Sequence, residues 1–225
     1  MNDSGINLDF DRAQRLGFDE AMFCSGKSAG QIATILDRVA ERGGSMLLTR
    51  LTAGTFAELP EAVRPRLDYE PLSGTAYFGY VAQPARSGEV AVVGAGTSDM
   101  GVCREAVRTL GYHGIKASEV YDVGVAGLWR LLERVPEIVR HPVVIAVAGM
   151  DAALVSVLGG LVPGLVIGVP TSVGYGVANR GETALHAAIA SCAPGVPVVN
   201  IDNGYGAACA AIRALRAAER MGRSS

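Results

Sequence analysis

The chain has 225 residues, 49% of them hydrophobic and 19% charged, with a formal net charge of -2. That apolar content excludes a disordered chain and allows a sizeable buried core, while the charge balance excludes a broad basic surface for nucleic acid. The 29 glycines follow no three-residue period, which excludes a collagen-like chain.

Met1 to Asp11 is polar and acidic, without the basic start and apolar run of a secretory signal. Ser28 can cap a helix whose apolar face is Ile32, Ile35, Leu36 and Val39, and Gly43-Gly44 ends it. Ser45 to Arg50 reads as a short strand, Ala57 to Val63 as a second helix containing Pro60, and Tyr69 to Val81 as a hairpin around Ser73-Gly74. Gln83 to Gly88, with Pro84, Ser87 and Gly88, is the expected linker. A small mixed α+β domain over residues 1–87 is therefore expected, with a second domain over 88–225.

From Glu89 the pattern changes. Apolar strands are expected at Val90 to Val93, Ile115 to Tyr121, Val143 to Ala148, Leu165 to Val169 and Val196 to Ile201. Helices are expected at Met100 to Leu110, Ala126 to Val135, Asp151 to Leu161, Glu182 to Cys192 and Ala207 to Arg220. Five buried-type strands alternating with five helices predict an α/β fold: a three-layer αβα arrangement on a parallel, flavodoxin-like sheet. Glycine and proline interrupt the longest apolar stretches, so no membrane span is expected.

Ligands of such a sheet bind at the carboxyl ends of its strands. Those ends read Gly94-Ala95-Gly96-Thr97-Ser98-Asp99, Tyr121-Asp122-Val123-Gly124-Val125, Ala148-Gly149-Met150-Asp151, Pro170-Thr171-Ser172-Val173-Gly174-Tyr175-Gly176 and Asn200-Ile201-Asp202-Asn203-Gly204. Parallel strands put all five on one edge, where their hydroxyls, carboxylates and glycines would form one polar site. The first loop suits a phosphate: Gly96 frees backbone amides, Thr97 and Ser98 add hydroxyls, and the helix start adds positive potential. It is neither a Rossmann fingerprint nor a P-loop, and Ser98 or Asp99 could equally cap the next helix.

Asp122, Asp151 and Asp202 stand at equivalent strand ends. They could act as a general base, ribose acceptors or magnesium ligands, and Asp151 could instead be a helix cap. Cys24, Cys103, Cys192 and Cys209 have neither zinc spacing nor a disulfide pattern, which points to a reducing cytoplasm. Cys103 and Cys209 fall within helices as small apolar residues, whereas Cys192 lies where a helix stops. Negative potential there opposes a thiolate, although a cationic substrate would favour one. None of His113, His141 and His186 falls in a strand-end loop, so histidine-based acid–base chemistry is not expected.

The loops Val93 to Asp99, Tyr121 to Gly127, Ala148 to Asp151 and Pro170 to Gly176, with Ser191-Cys192-Ala193 and Val199 to Gly204, resemble the LarB family. Phe18 to Lys27 is similar to that family's N-terminal region, and residues 88–225 are similar to aminoimidazole ribonucleotide carboxylases and mutases. The resemblance implies carboxylation of the nicotinate ring of nicotinic acid adenine dinucleotide by carbon dioxide. Phosphoanhydride hydrolysis would then release AMP, with magnesium for that step. It implies Cys192 as the nucleophile that adds to the pyridinium, and Asp151 as the carboxylate that removes the ring proton, where the family pattern has glutamate. Substrate contacts would come from Gly96, Thr97, Ser98, Asp99, Asp122, Gly124, Gly149, Thr171, Ser172, Tyr175, Asn200, Asp202 and Asn203. A homo-oligomer, favouring an octamer, is expected. Two other readings stand beside this one. An aminoimidazole ribonucleotide mutase would require a histidine that the second loop lacks, and a nucleotide-responsive regulator would have no turnover.

Overall fold

A computed structural model describes residues 8–9, 11–81 and 83–222. The chain divides into two compact units, Met1–Ala82 and Gln83–Ser225.

The first unit is a helix-covered mixed sheet in the strand order β1-β2-β4-β3. Strand β1 (Ala21–Phe23) runs parallel to β2 (Met46–Thr49), and β4 (Thr75–Phe78) is antiparallel to both β2 and β3 (Leu67–Glu70). A five-residue helix, α1 (Arg12–Leu16), precedes the sheet. Helix α2 (Ala29–Glu41) starts as its sequence predicts. Ser28 Oγ accepts the Gln31 amide at 3.2 Å, and Gln31 Oε1 accepts the Ser28 amide at 2.9 Å, which satisfies two donors that the first turn leaves unpaired. Ile32, Ile35, Leu36 and Val39 then pack on Met22, Met46, Leu48 and Phe78. The second helix is displaced from its expected position. Helix α3 spans Ala53–Glu58, capped by Thr52, because Leu59 must take an extended backbone (ψ 146) ahead of Pro60.

In the second unit, β5 (Arg86–Gly94), β6 (Ile115–Val120), β7 (Val143–Ala148) and β8 (Leu165–Pro170) form an all-parallel sheet in the order β6-β5-β7-β8. This is an α/β fold with flavodoxin-like strand order. Successive residues of a strand face opposite sides. Ala91, Val93, Val144, Ala146 and Val166 share one core with α5 (Leu128–Ile138), α6 (Ala153–Leu161) and α7 (Glu182–Ile189). The other face is covered by α4 (Met100–Tyr112) and α8 (Gly204–Gly222), which pack on each other and on the strands.

Two sequence expectations are corrected here. Arg86 to Gly88, expected as linker, belongs to β5. Arg86 pairs with Ile115 and Ser87 with Lys116, while Gly88 (φ 78) absorbs an irregularity before Ala91. The fifth strand shrinks to a single parallel bridge between Val198 and Gly168. Pro197 can accept from the Gly168 amide at 2.9 Å, but it has no N–H to extend the ladder.

Ile145 is fully buried at the centre of β7. Ile145→Ala is expected to destabilise the protein by about 2–5 kcal/mol and Ile145→Val by about 0.5–1.5 kcal/mol, measured by urea unfolding. Equal losses for the two would contradict this packing.

Candidate active site

The chain leaves the sheet centre in opposite directions after β5, since β6 lies on one side of β5 and β7 on the other. The crevice at this switch point opens at the carboxyl edge, between the loops after β5 and β7.

The five strand-end segments are tied together there. After β5, a single 3-10 turn (Thr97–Asp99) feeds α4, and Asp99 Oδ2 accepts the Gly96 amide at 2.9 Å. The loop after β6 closes against this one: the Val123 amide reaches the Gly94 carbonyl at 3.3 Å. A β-carbon at Gly124 would sit 2.8 Å from the Ala95 carbonyl oxygen, so only glycine allows that approach. The loop after β7 meets the loop after β8, where the Met150 amide donates to Val173 at 2.8 Å and the Thr171 amide to Ala148 at 3.0 Å. The Thr171 hydroxyl donates to Asp99 Oδ1 at 2.7 Å, crossing to the first loop. The last segment joins through Asp202, whose amide donates to Pro170 at 2.8 Å and whose Oδ1 accepts the Ser172 amide at 2.7 Å.

Of the six non-glycine residues with positive φ among the described residues, Asp122, Met150 and Asp202 lie in these segments, Ala152 directly follows the third, and Arg180 lies four residues beyond the fourth. Each such conformation costs roughly 1–3 kcal/mol and persists only where the surroundings enforce it, as they do at ligand sites. The sequence hints at this only through the two aspartates, which tolerate that region. Met150 and Ala152, on either side of Asp151, give no such signal.

The predicted residues separate into two groups. Thr97, Ser98, Asp122, Asp151, Ser172, Tyr175 and Asn200 are exposed at the edge, where a ligand can reach them. Gly149, Thr171 and Asp99 are buried beneath it. Burial raises the Asp99 carboxyl above the usual range, against hydrogen bonds from Thr171, Gly96 and Gly149, and the nearby charge of Asp202 adds to the rise. Asn203 is engaged as a helix-start acceptor, with Oδ1 taking the Gly206 amide at 2.7 Å, and Asn200 Oδ1 accepts the Ile201 amide at 2.9 Å. Asp151 Oδ1 lies 3.3 Å from the Ala153 amide, a weak local bond that leaves most of the carboxylate open to solvent. Sequence reasoning missed Arg130, which pairs with Asp122 at 2.7 Å and brings a cation to the edge. Its helical position after Asp122 is recognisable only once the loop is folded.

Cys192 lies outside the five strand-end segments, in the turn after α7. Helix α7 begins at the edge, where Gly181 presses on the Thr171 carbonyl, and runs back along the sheet to end at Ile189, short of the expected Cys192. The thiol is exposed in the following turn, upstream of the Val198 bridge, where Ser191 Oγ is bonded to Ser156 Oγ of α6 at 2.8 Å. Ala193, next to Cys192, packs on Gly159 in the last turn of α6, whereas Asp151 precedes the first turn of that helix. Cys192 therefore lies beside the middle of α6, and Asp151 lies before its first turn.

Among the described residues, no group of three or more His, Cys, Asp or Glu side chains is arranged to hold a metal ion. Asp99, Asp122 and Asp202 are each bonded to another protein group, so the strand ends do not form a magnesium cage of their own. No described helix is long and apolar enough to cross a membrane.

Residues 3–79 match the model of the LarB/PurE-like N-terminal domain, and residues 89–224 match that of AIR carboxylase. The chain is a LarB-like protein with an AIR carboxylase C-terminal domain. It is 35% identical over 211 residues to uncharacterized protein MJ0165 of Methanocaldococcus jannaschii, across 90% of this chain and 80% of that one. The crystal structure of a Treponema denticola PurE2 variant aligns with 61% of this LarB-like chain and 93% of its own, at 16% identity and a TM-score of 0.45.

The four thiols of this LarB-like protein differ sharply in access. Burial pushes Cys24 up to about 12 and also raises Cys103, Cys209 is buried, and Cys192 alone is exposed. Iodoacetamide at about pH 8 is expected to add once to the native protein, at Cys192, by peptide mass spectrometry. A second adduct before unfolding would show that a buried thiol is accessible.

Proposed function

We propose that this LarB-like carboxylase-type enzyme acts on nicotinic acid adenine dinucleotide, adding carbon dioxide to the nicotinate ring and hydrolysing the phosphoanhydride to release AMP. The observation that carries the reading is the exposed Asp151 carboxylate at the β5/β7 crevice of an AIR carboxylase domain, with hydroxyl-bearing loops around it. Thr97 and Ser98 supply donors for a phosphate, and Asp122 and Ser172 supply polar contacts for the sugar or ring.

The chemistry needs a nucleophile because the pyridinium has no electron-rich carbon. The Cys192 thiolate adds to the ring and converts it to a neutral enamine. The enamine carbon forms its bond to carbon dioxide, Asp151 takes the proton from that carbon, and the thiolate leaves as aromaticity returns. Addition neutralises the positive charge of the ring, which favours the covalent adduct. Magnesium belongs to this reading as an ion carried by the substrate phosphates, since the strand ends offer it no cage.

A homo-oligomer belongs to this reading, with a second copy of the chain near each site. An octamer accords with the family resemblance. Exposed Leu128, Trp129 and Leu132 on α5, and Ile189 at the end of α7, offer apolar surface for such a copy. Four free thiols suit a cytoplasmic setting. The AIR carboxylase match favours one second reading, an aminoimidazole ribonucleotide substrate. The missing histidine in the second loop stands against it.

Incubation with nicotinic acid adenine dinucleotide, bicarbonate and magnesium is expected to yield AMP and a product heavier by one carboxyl group, read by mass spectrometry. Cys192→Ser should abolish the product. Asp151→Asn should lower the rate by about 10²-fold or more, and Asp151→Glu should retain activity. Product from aminoimidazole ribonucleotide alone would favour the second reading. Full activity of Cys192→Ser would overturn the covalent route.

A further inference from the structure

Cys192 is exposed, yet the turn that carries it is tied down on both sides. Its neighbours Ser191 and Ala193 are half-buried. Ser156, in the middle of α6, donates from Oγ to Ser191 Oγ at 2.8 Å, across 35 residues of sequence. A serine inside a helix usually faces solvent or bonds back to its own helix, so this hydroxyl is diverted to another segment. Ser191 Oγ in turn accepts the Ala193 amide at 3.1 Å, which links the two flanks of Cys192. Three residues beyond Ser156, on the same face of α6, a β-carbon at Gly159 would lie 2.8 Å from Ala193 Cβ and 2.9 Å from Val196 Cγ2. The next residue, Gly160, is exposed, and a β-carbon there would meet nothing within 4 Å.

We infer that Ser156, Ser191 and Gly159 are positioning residues: they seat the 191–196 turn on α6 and so fix where the Cys192 thiol is presented. The consequence for catalysis rests on the proposed role of Cys192 as nucleophile. The hydroxyls and the glycine act differently. Ser191 uses both acceptor positions on Ser156 and Ala193, so alanine at either serine removes a bond that holds the turn. Gly159 acts through the side chain it lacks: the turn occupies that space, although alanine is the better helix former. The far end of the segment is held separately. The Gly168 amide donates to Pro197 at 2.9 Å and the Val199 amide to Gly168 at 3.0 Å, around the Val198 bridge. The segment is therefore fixed at both ends, to α6 and to β8, with the thiol beside the first anchor.

The test compares Ser156→Ala, Ser191→Ala, Gly159→Ala and Gly160→Ala in the full-length protein, with the double serine variant. Amide hydrogen exchange of residues 190–196 is read by mass spectrometry without ligand, and turnover of nicotinic acid adenine dinucleotide is measured separately. Exchange is expected to speed about three- to tenfold in Ser156→Ala and Gly159→Ala, and further in Ser191→Ala, which also loses the Ala193 bond. Gly160→Ala should exchange as wild type, and the double variant no faster than Ser191→Ala. The three seat positions should each lower kcat by about tenfold or more with KM within about twofold, because the expected substrate contacts lie on the strand-end loops. Wild-type exchange in both serine variants, or equal exchange in Gly159→Ala and Gly160→Ala, would overturn the seat. A raised KM with unchanged kcat in Ser156→Ala would make that hydroxyl a ligand contact and overturn its positioning role. Absence of turnover in the wild type would sink the proposed reaction, while exchange alone still decides the seat.

Discussion

Because β5 pairs in parallel with β7 on one side and with β6 on the other, the chain parts at the middle of the sheet, and the loops after β5 and β7 face each other across a gap that no strand fills. Backbone hydrogen bonding alone fixes this geometry. On each side of the gap neighbouring loops pack backbone to backbone, which selects glycine where they meet, as at Gly124 against Ala95 and Gly149 against Val173. It also forces left-handed backbone at Met150 and Ala152, since the chain must turn sharply from β7 into α6. Packing of α4 and α8 on one face, and of α5, α6 and α7 on the other, makes the sheet rigid enough to sustain that strain.

The alternation of apolar strands and helices is legible in residues that report on burial alone. Val143 to Ala148 is apolar throughout because both faces of a central parallel strand are covered, and Ser28 announces its helix because capping is local chemistry. Legibility fails where a residue's effect depends on neighbours distant in sequence. Ser87 and Gly88 look like a linker but pair within β5, and Pro197 ends the ladder that the valines around it promise. Asp99 is indistinguishable from Asp122 on paper: both follow a strand, and both sit among glycines. Only the fold shows that one lies under the loops and the other on top of them. The position of Cys192 is hidden for a related reason, since helix α7 ends at Ile189 and the turn beyond it packs on α6.

Aspartate in place of the glutamate that the family resemblance implies at residue 151 acquires a physical setting here. Its weak bond to the Ala153 amide is the sort a short side chain makes at a helix start, and a longer carboxylate would extend beyond it toward the crevice. The left-handed residues on either side hold the Asp151 backbone in one place, so the missing methylene is not recovered by local movement. In the proposed reaction, the rate of proton transfer would depend on that reach.

These constraints divide the work of the site between layers of one edge. Asp99 and Thr171 are buried and bonded to each other across two loops, so they stabilise the shape of the edge. Residues left exposed by that shape, such as Asp151 and Ser172, can act but cannot hold themselves in place. On the proposed covalent route the thiol comes from outside the strand-end segments, none of which holds a cysteine. Cys192 is exposed beyond the end of α7, close in sequence to Ile189, where apolar and reactive groups occur together on one small surface. A second copy that covered such a surface would bury apolar area and the thiol together, which is the arrangement the proposed reaction calls for.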